Sequence, residues 1–121
     1  MKSQSNKLFA FIFLLAFASC GLKGIKVPSD KQDYIGVWSS SSLSSGIQLT
    51  ISQGGRVTYI NNSGSMSKSI KGPLQRFDGN NFVVGALGIN TTFKVSDPPH
   101  KDSTGIWKMT VDGNELTKIA N

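Results

Sequence analysis

The chain has 121 residues, a formal net charge of +6 and a single cysteine, Cys20. This length fits one domain, and a single cysteine excludes a disulfide within the chain. The basic side chains are scattered and are not interleaved with aromatic residues, which excludes the usual pattern of a nucleic-acid-binding surface. We therefore expect one domain and no nucleic-acid partner.

The N-terminus has the layout of a bacterial secretory signal peptide. Lys2 and Lys7 precede an unbroken apolar run from Leu8 to Ala18, and the small residue Ser19 follows. A membrane-spanning helix needs about 20 apolar residues, so this run is too short to cross the hydrocarbon core. We expect a helical signal peptide, residues 1–19, that is removed after export.

The segment Phe17-Ala18-Ser19-Cys20 resembles the lipobox of bacterial lipoproteins. The resemblance implies cleavage before Cys20, attachment of diacylglycerol to its thiol, and acylation of the new amino group with a chain such as palmitate. These acyl chains would make the membrane a partner. Gly21 stands where lipoproteins retained in the inner membrane typically carry Asp, which implies an outer-membrane lipoprotein facing the periplasm or the cell surface. Ala16-Phe17-Ala18 also fits ordinary signal peptidase, and the alternative is a soluble periplasmic protein beginning at Ser19.

Beyond the signal, the chain divides into a tether and one domain. Gly21 to Asp33 mixes glycine, proline, serine and charged residues, a composition typical of a flexible linker. Residues 20–33 are therefore expected to be the lipidated cysteine and its tether, and residues 34–121 the domain.

Apolar and polar residues alternate along short segments that are separated by turn residues, which predicts strands. Ile47, Leu49 and Ile51 are one such set, and Gln53-Gly54-Gly55 then turns the chain into a hairpin. Asp112-Gly113 is a second hairpin signal. The predicted strands are 34–38, 47–52, 56–60, 69–71 with 74–77, 81–84, 91–95, 106–111 and 115–119.

Two segments that contain proline interrupt this pattern. Gly72-Pro73 removes a backbone donor and should bend the strand or place it at a sheet edge. Asp97 to Ser103 is predicted to be a loop stiffened by Pro98-Pro99.

The fold class that follows is all-β: a small antiparallel meander barrel or sandwich of about eight short strands. Its aromatic residues are expected to form the core, where each contributes about 2–3 kcal/mol by burial. The alternative is that they line a ligand cavity. These residues are Trp38, Tyr59, Phe77, Phe82, Phe93 and Trp107.

The sequence offers little for catalysis or metal binding. His100 is the one histidine, and Asp97 and Asp102 lie near it, but a loop of Pro, Asp and Lys has this composition because it is solvated. Serine is abundant without a G-x-S-x-G context, and no glycine-rich phosphate loop precedes a helix. We expect a non-enzyme without a cofactor or a bound metal.

Three further resemblances concern the domain. Gly36-Val37-Trp38 resembles the G-x-W motif that opens lipocalins, which implies a barrel and, as an alternative function, a carrier of a small apolar ligand. The segments 91–99 and 107–117 look like the C-terminal half of small proteobacterial lipoproteins of uncharacterised function. The stretch from Ser63 to Lys68 is similar to the Ser/Gly-rich loop that lipoprotein inhibitors of lysozyme present to the enzyme, which implies a lysozyme-inhibitor-like protein as a second alternative function.

The sequence thus predicts a lipid-anchored cell-envelope lipoprotein that acts as a non-catalytic binding or structural module on another envelope protein. The candidate surfaces are the loops 39–46, 61–67 and 97–103. The candidate residues in and beside them are Ser63, Ser65, Lys68, His100 and Lys101, and Cys20 is the candidate lipidation site.

Overall fold

A computed structural model describes residues 24–40, 46–62, 67–86 and 88–121. The predicted signal peptide and Cys20 lie outside these ranges, as do Ser63 and Ser65. The described part of the chain is almost entirely β, which confirms the predicted fold class.

Nine strands and one short 3-10 helix make up the described fold. The 3-10 helix spans Ser29–Tyr34. The strands are β1 Gly36–Ser40, β2 Ile47–Ile51, β3 Arg56–Asn61, β4 Lys68–Asp78, β5 Asn81–Ala86, β6 Ile89–Phe93, β7 Val95–Lys101, β8 Trp107–Val111 and β9 Asn114–Ala120.

The strands form one curled antiparallel sheet in the order β6-β5-β4-β3-β2-β1-β9-β8-β7. Consecutive strands pair as hairpins, except β6 and β7, and β1 pairs with β9, so the sheet is the predicted antiparallel meander. Its two edge strands, β6 and β7, follow one another with Lys94 between them. The Lys94 backbone N–H donates to Asp112 Oδ1 (2.9 Å), and the Val95 N–H donates to Asn81 Oδ1 (2.8 Å). The two edges are therefore linked at this junction, and the sheet is barrel-like.

Strand β4 is one strand where the sequence predicted two segments around Gly72-Pro73. It pairs with β3 as far as Pro73, which lies opposite Arg56. From Leu74 onward it pairs with β5. The expected bend site is thus the place where the strand exchanges one partner for the other, because proline has no N–H to donate to a continuing ladder.

The predicted loop from Asp97 to Ser103 is wrong over most of its length, because Val95–Lys101 is strand β7. Pro98 and Pro99 lie between the paired residues Asp97 and His100, where the register with β8 shifts. On an edge strand, the N–H groups that face outward have no partner strand. The extra residue of a bulge is also unpaired, so two prolines, which have no N–H, are tolerated there.

The interior of the barrel is filled by side chains. Phe82 and Phe93 stack with their ring centroids 5.0 Å apart, and Tyr59 lies 5.1 Å from Phe93. The fully buried residues include Trp38, Leu49, Leu74, Phe82, Phe93, Met109 and Leu116. Most of the predicted core aromatics therefore pack into one continuous cluster.

The segment before β1 packs on the sheet, although the sequence predicted a flexible tether as far as Asp33. Val27 and Tyr34 are each only 3% exposed. The Tyr34 hydroxyl donates to the Asn80 carbonyl (2.8 Å), and the Ile25 N–H donates to the Leu74 carbonyl (2.7 Å). The packed unit therefore includes residues 24–33, ahead of the predicted boundary at Tyr34.

Strand directions define two ends of the barrel. The helix end contains the 3-10 helix, the β2–β3 and β4–β5 turns and the β7–β8 connection, and Val27 N–H donates there to the Gln53 carbonyl (3.1 Å). The loop end contains the β1–β2 and β3–β4 connections. There the Asn62 N–H donates to the Gly46 carbonyl (3.0 Å). The chain enters the domain at the helix end.

Candidate functional site

The candidate residues that the structure describes lie at opposite ends of the barrel. Lys68 is the first residue of β4, is exposed and pairs with Asn61 at the loop end. His100 and Lys101 end β7, whose direction brings them to the helix end. The three residues therefore do not form one binding surface. Cys20, Ser63 and Ser65 lie outside the described ranges.

His100 is exposed and has a local structural contact. Its Nδ1 lies 3.0 Å from the Pro98 carbonyl oxygen and 3.6 Å from Asp97 Oδ2. Asp102, the other carboxylate considered for this site, bonds instead within the β7–β8 turn. Among the described residues, no three His, Cys, Asp or Glu side chains are placed to hold a metal ion.

Asp102 organises the β7–β8 turn. Its Oδ1 accepts bonds from the Thr104 hydroxyl (2.6 Å), the Thr104 N–H (2.8 Å) and the Ile106 N–H (3.1 Å). Lys108 Nζ lies 3.4 Å from its other oxygen. The hydrogen bond from Thr104, with those of Ile106 and the neighbouring Lys108, holds the pKa of Asp102 well below its usual range. This carboxylate is a turn-forming group.

A lysine and two tryptophans join the 3-10 helix to the sheet. Lys118 Nζ lies 5.0 Å from the ring centroids of both Trp38 and Trp107 and donates to the Asp33 carbonyl (3.0 Å). The Trp38 indole N–H donates to the Tyr34 carbonyl (3.0 Å). Burial lowers the pKa of Lys118, while the nearby Asp33 charge opposes that shift. The cluster closes the helix end of the barrel, and we assign it a structural role.

A cleft of about 520 Å³ lies near the helix end and is here called the glycine cleft. It lies where the chain enters the domain, between the N-terminal segment, the β2–β3 turn and the middle of β4. Its lining residues are Gly24, Lys26, Gly54, Gly55, Arg56, Gly72 and Pro73.

Two of these glycines let backbone segments meet beside the cleft. A Cβ on Gly55 would overlap the Ile25 carbonyl oxygen, and one on Gly24 would overlap that of Leu74. The Leu74 N–H donates to the Gly55 carbonyl (2.6 Å), which completes the contact. Gly54 differs, because an added Cβ there would meet no atom within 4 Å. The cleft is therefore built on close backbone packing and has an open wall at Gly54.

Lys26 and Arg56 are the charged residues of the glycine cleft, and both are exposed. Within the described ranges neither forms an ion pair. The chain has seven acidic residues, all within those ranges, and none lines the cleft. The cleft is thus lined by two basic side chains and by no carboxylate.

Sequence reasoning missed this cleft because its walls come from three distant segments. Gly54 and Gly72 were assigned to a turn and a bend, and Lys26 to the tether. Arg56 was the first residue of a strand. The pattern within each segment was explained locally, and only the fold brings these segments together.

A second, shallower pocket of about 320 Å³ lies between β4 and the β5–β6 hairpin and is here called the seam pocket. The pairing of β4 with β5 ends at Leu74 and Val84. The pocket lies beyond this last pair, between the first half of β4 and the end of β5. The apolar residues around it are Ile70, Val84, Ala86 and Ile89, and Ile89 is 80% exposed. The seam pocket therefore offers an apolar contact beside Ser69 and Lys71.

No known protein family, curated protein or solved structure matches the chain. Within the described ranges, no helix has the length and the apolar character of a membrane span.

Proposed function

We propose that the protein is a lipid-anchored lipoprotein of the bacterial cell envelope, held in the outer membrane through acyl chains on Cys20. It acts as a non-catalytic module that binds another envelope protein. The observation that carries this proposal is that Gly24, four residues after Cys20, is packed at the helix end of the barrel.

The short spacing between Cys20 and Gly24 gives the domain an orientation. A fully extended chain spans at most about 3.6 Å per residue, so Gly24 lies within roughly 14 Å of Cys20. Acylation of Cys20 would therefore hold the helix end against the membrane. The loop end, on the far side of the barrel, would face the envelope space.

The loop end supplies the proposed partner surface. Lys68 is exposed there, and Ser63 and Ser65 belong to the same β3–β4 connection. Ile89 adds an exposed apolar side chain at the seam pocket. His100 is at the other end of the barrel, so the proposed partner surface leaves it and its neighbour Lys101 out.

Mass spectrometry of the protein from its own membranes tests the anchor. We expect an N-terminal peptide that begins at acylated Cys20, and we expect Cys20→Ala to lose membrane association in salt-washed fractions. A mature protein that begins at unmodified Ser19 would overturn the proposal.

Site-specific photo-crosslinking tests the orientation. A photoreactive residue in place of Lys68 should capture an envelope protein, whereas one in place of Lys101 should capture lipid or nothing. Capture of the same protein from position 101 and not from position 68 would show that the assigned surface is wrong.

A further inference from the structure

The glycine cleft has the chemistry of an anion site. Lys26 and Arg56 are its charged groups, and no carboxylate lines it. Four of its lining residues are glycines, so much of the wall is backbone that a ligand can approach closely. Arginine binds phosphate oxygens through a planar fork of donors, and lysine binds them as a point charge.

The size of the cleft suits a small polar group. Its volume of about 520 Å³ lies within the range of roughly 300–1,000 Å³ typical of ligand sites. It is open to solvent on the Gly54 side, where nothing lies within 4 Å of an added Cβ. A headgroup can therefore enter without displacing a side chain.

The position of the cleft indicates where its ligand comes from. Gly24 forms part of the wall and lies within roughly 14 Å of Cys20 along the chain. The headgroup layer adds about 5–8 Å on each side of a bilayer's hydrocarbon core. Ile25, next to Gly24, is 40% exposed and supplies an apolar contact at the same place. An acylated Cys20 would thus hold the cleft at the level of the lipid headgroups.

We propose that the glycine cleft binds the phosphate headgroup of an anionic phospholipid in the membrane that anchors Cys20. This inference rests on the proposed function, because the anchor brings the cleft to the headgroups. Headgroup binding would fix the rotation of the barrel on the membrane, which an acyl chain alone leaves free, and so would hold the loop end outward.

The test is a nuclear magnetic resonance titration of the full mature protein, purified from membranes in a nonionic detergent. Dihexanoylphosphatidylglycerol is added as the anionic probe, and dihexanoylphosphatidylcholine as the zwitterionic one. We expect saturable shifts of the Gly54 and Gly55 amide signals with the anionic probe and a response at least tenfold weaker with the other. Raising the salt from 50 to 300 mM should weaken the binding, because exposed charges are screened.

Variants locate the site. Lys26→Gln with Arg56→Gln should weaken binding at least tenfold, whereas Lys94→Gln with Arg76→Gln removes the same charge elsewhere and should leave binding unchanged. Gly54→Glu should abolish binding by placing a carboxylate at the open wall, and Gly54→Gln is its uncharged control of equal size. The amide spectrum of each variant shows whether the fold is retained.

Each other outcome has a definite meaning. If inorganic phosphate saturated the cleft at the same concentration as the phospholipid, the proposal that the ligand is a lipid headgroup would be overturned. Absence of shifts in a protein whose mass shows acylated Cys20 would overturn the cleft proposal alone. Saturable binding to a protein without acylation would support the cleft and overturn the anchor, so the two proposals fail separately.

Discussion

At the scale of single residues, the absence of a side chain at Gly55 allows the N-terminal segment to pack against the β2–β3 turn. Its φ is +86°, a backbone conformation that favours glycine, and a Cβ would overlap the Ile25 carbonyl. We expect Gly55→Ala to lower the free energy of unfolding by about 1–3 kcal/mol. Gly54→Ala should change it by less than about 0.5 kcal/mol, because its Cβ meets open space. Urea unfolding of both variants checks this, and equal effects would contradict the close approach of the N-terminal segment.

Tyr34 predicts how stability depends on alkaline pH. Burial raises the pKa of Tyr34 from its ordinary value of 10.0 to about 12. The pKa of Tyr34 is higher in the folded protein than in the unfolded chain. The protonated hydroxyl therefore stabilises the fold fully below pH 10, and this contribution is lost as the pH rises through 12. The loss amounts to roughly 2–3 kcal/mol.

The matched variant for this prediction is Tyr34→Phe, which lacks the titrating hydroxyl. It also loses the hydrogen bond to the Asn80 carbonyl, at a cost of about 1 kcal/mol at neutral pH. Urea midpoints of both proteins between pH 9 and 12 should converge as the wild-type protein loses stability faster. Parallel curves would show that Tyr34 does not titrate in a buried site.

At the scale of elements, the two sheet edges are protected differently. Strand β7 carries Pro98 and Pro99 at its bulge, whereas β6 has no proline. Prolines on an edge strand prevent pairing with another chain, because they present no N–H. We expect Pro98→Thr with Pro99→Thr to keep the fold and raise the weight-average mass in sedimentation velocity. Ser96→Thr, in the same strand, is the control, and an unchanged mass in the proline variant would refute this role.

The β7–β8 turn depends on one carboxylate, Asp102. We expect Asp102→Ala to speed hydrogen exchange at the Thr104 and Ile106 amides about tenfold or more, since both bond to Oδ1. Asp102→Asn keeps an acceptor oxygen and should have the smaller effect. The depressed pKa of Asp102 means that these bonds are present above its usual range and are lost only well below it as pH falls. Exchange that is equal in both variants and the wild-type protein would remove Asp102 from this role.

At the scale of the whole molecule, the packed interior decides between a binding module and a carrier of apolar ligands. Phe82 is fully buried and stacks on Phe93. We expect Phe82→Ala to cost about 3–5 kcal/mol and to leave a cavity that takes up a small apolar molecule such as benzene. The wild-type protein should show no saturable uptake into its interior.

The outcome that supports the carrier is equally clear. Saturable one-to-one uptake of the apolar probe by the wild-type protein would favour a carrier of apolar ligands, provided that a larger side chain placed in the site abolishes this uptake. Phe82→Leu, which removes less volume, serves where the alanine variant is too unstable to measure.

The sequence pattern predicted correctly those strands and turns that depend only on residues close together in the chain. Ile47, Leu49 and Ile51 alternate because one face of β2 is buried, and the sheet buries those residues. The Asp112-Gly113 turn has positive φ at both residues, as the hairpin signal required. Strand β7 was missed because two prolines normally end a strand, and only its edge position and bulge make them acceptable.

The candidate site was less accessible to sequence reasoning. Lys68 and His100 were grouped because both belong to polar segments, but strand direction separates them to opposite ends of the barrel. The glycine cleft went unseen because Lys26 and Arg56 are far apart in the chain and each had a local explanation.

The sequence by itself determined the strand periods, the hairpin turns and the all-β class, because each depends on neighbouring residues. Only the tertiary structure decided that the segment around Val27 and Tyr34 packs on the barrel, that β6 and β7 are edges joined at Lys94, and that Lys26 and Arg56 line one cleft. These depend on contacts between residues distant in the chain, and such contacts are set by how the sheet curls and closes.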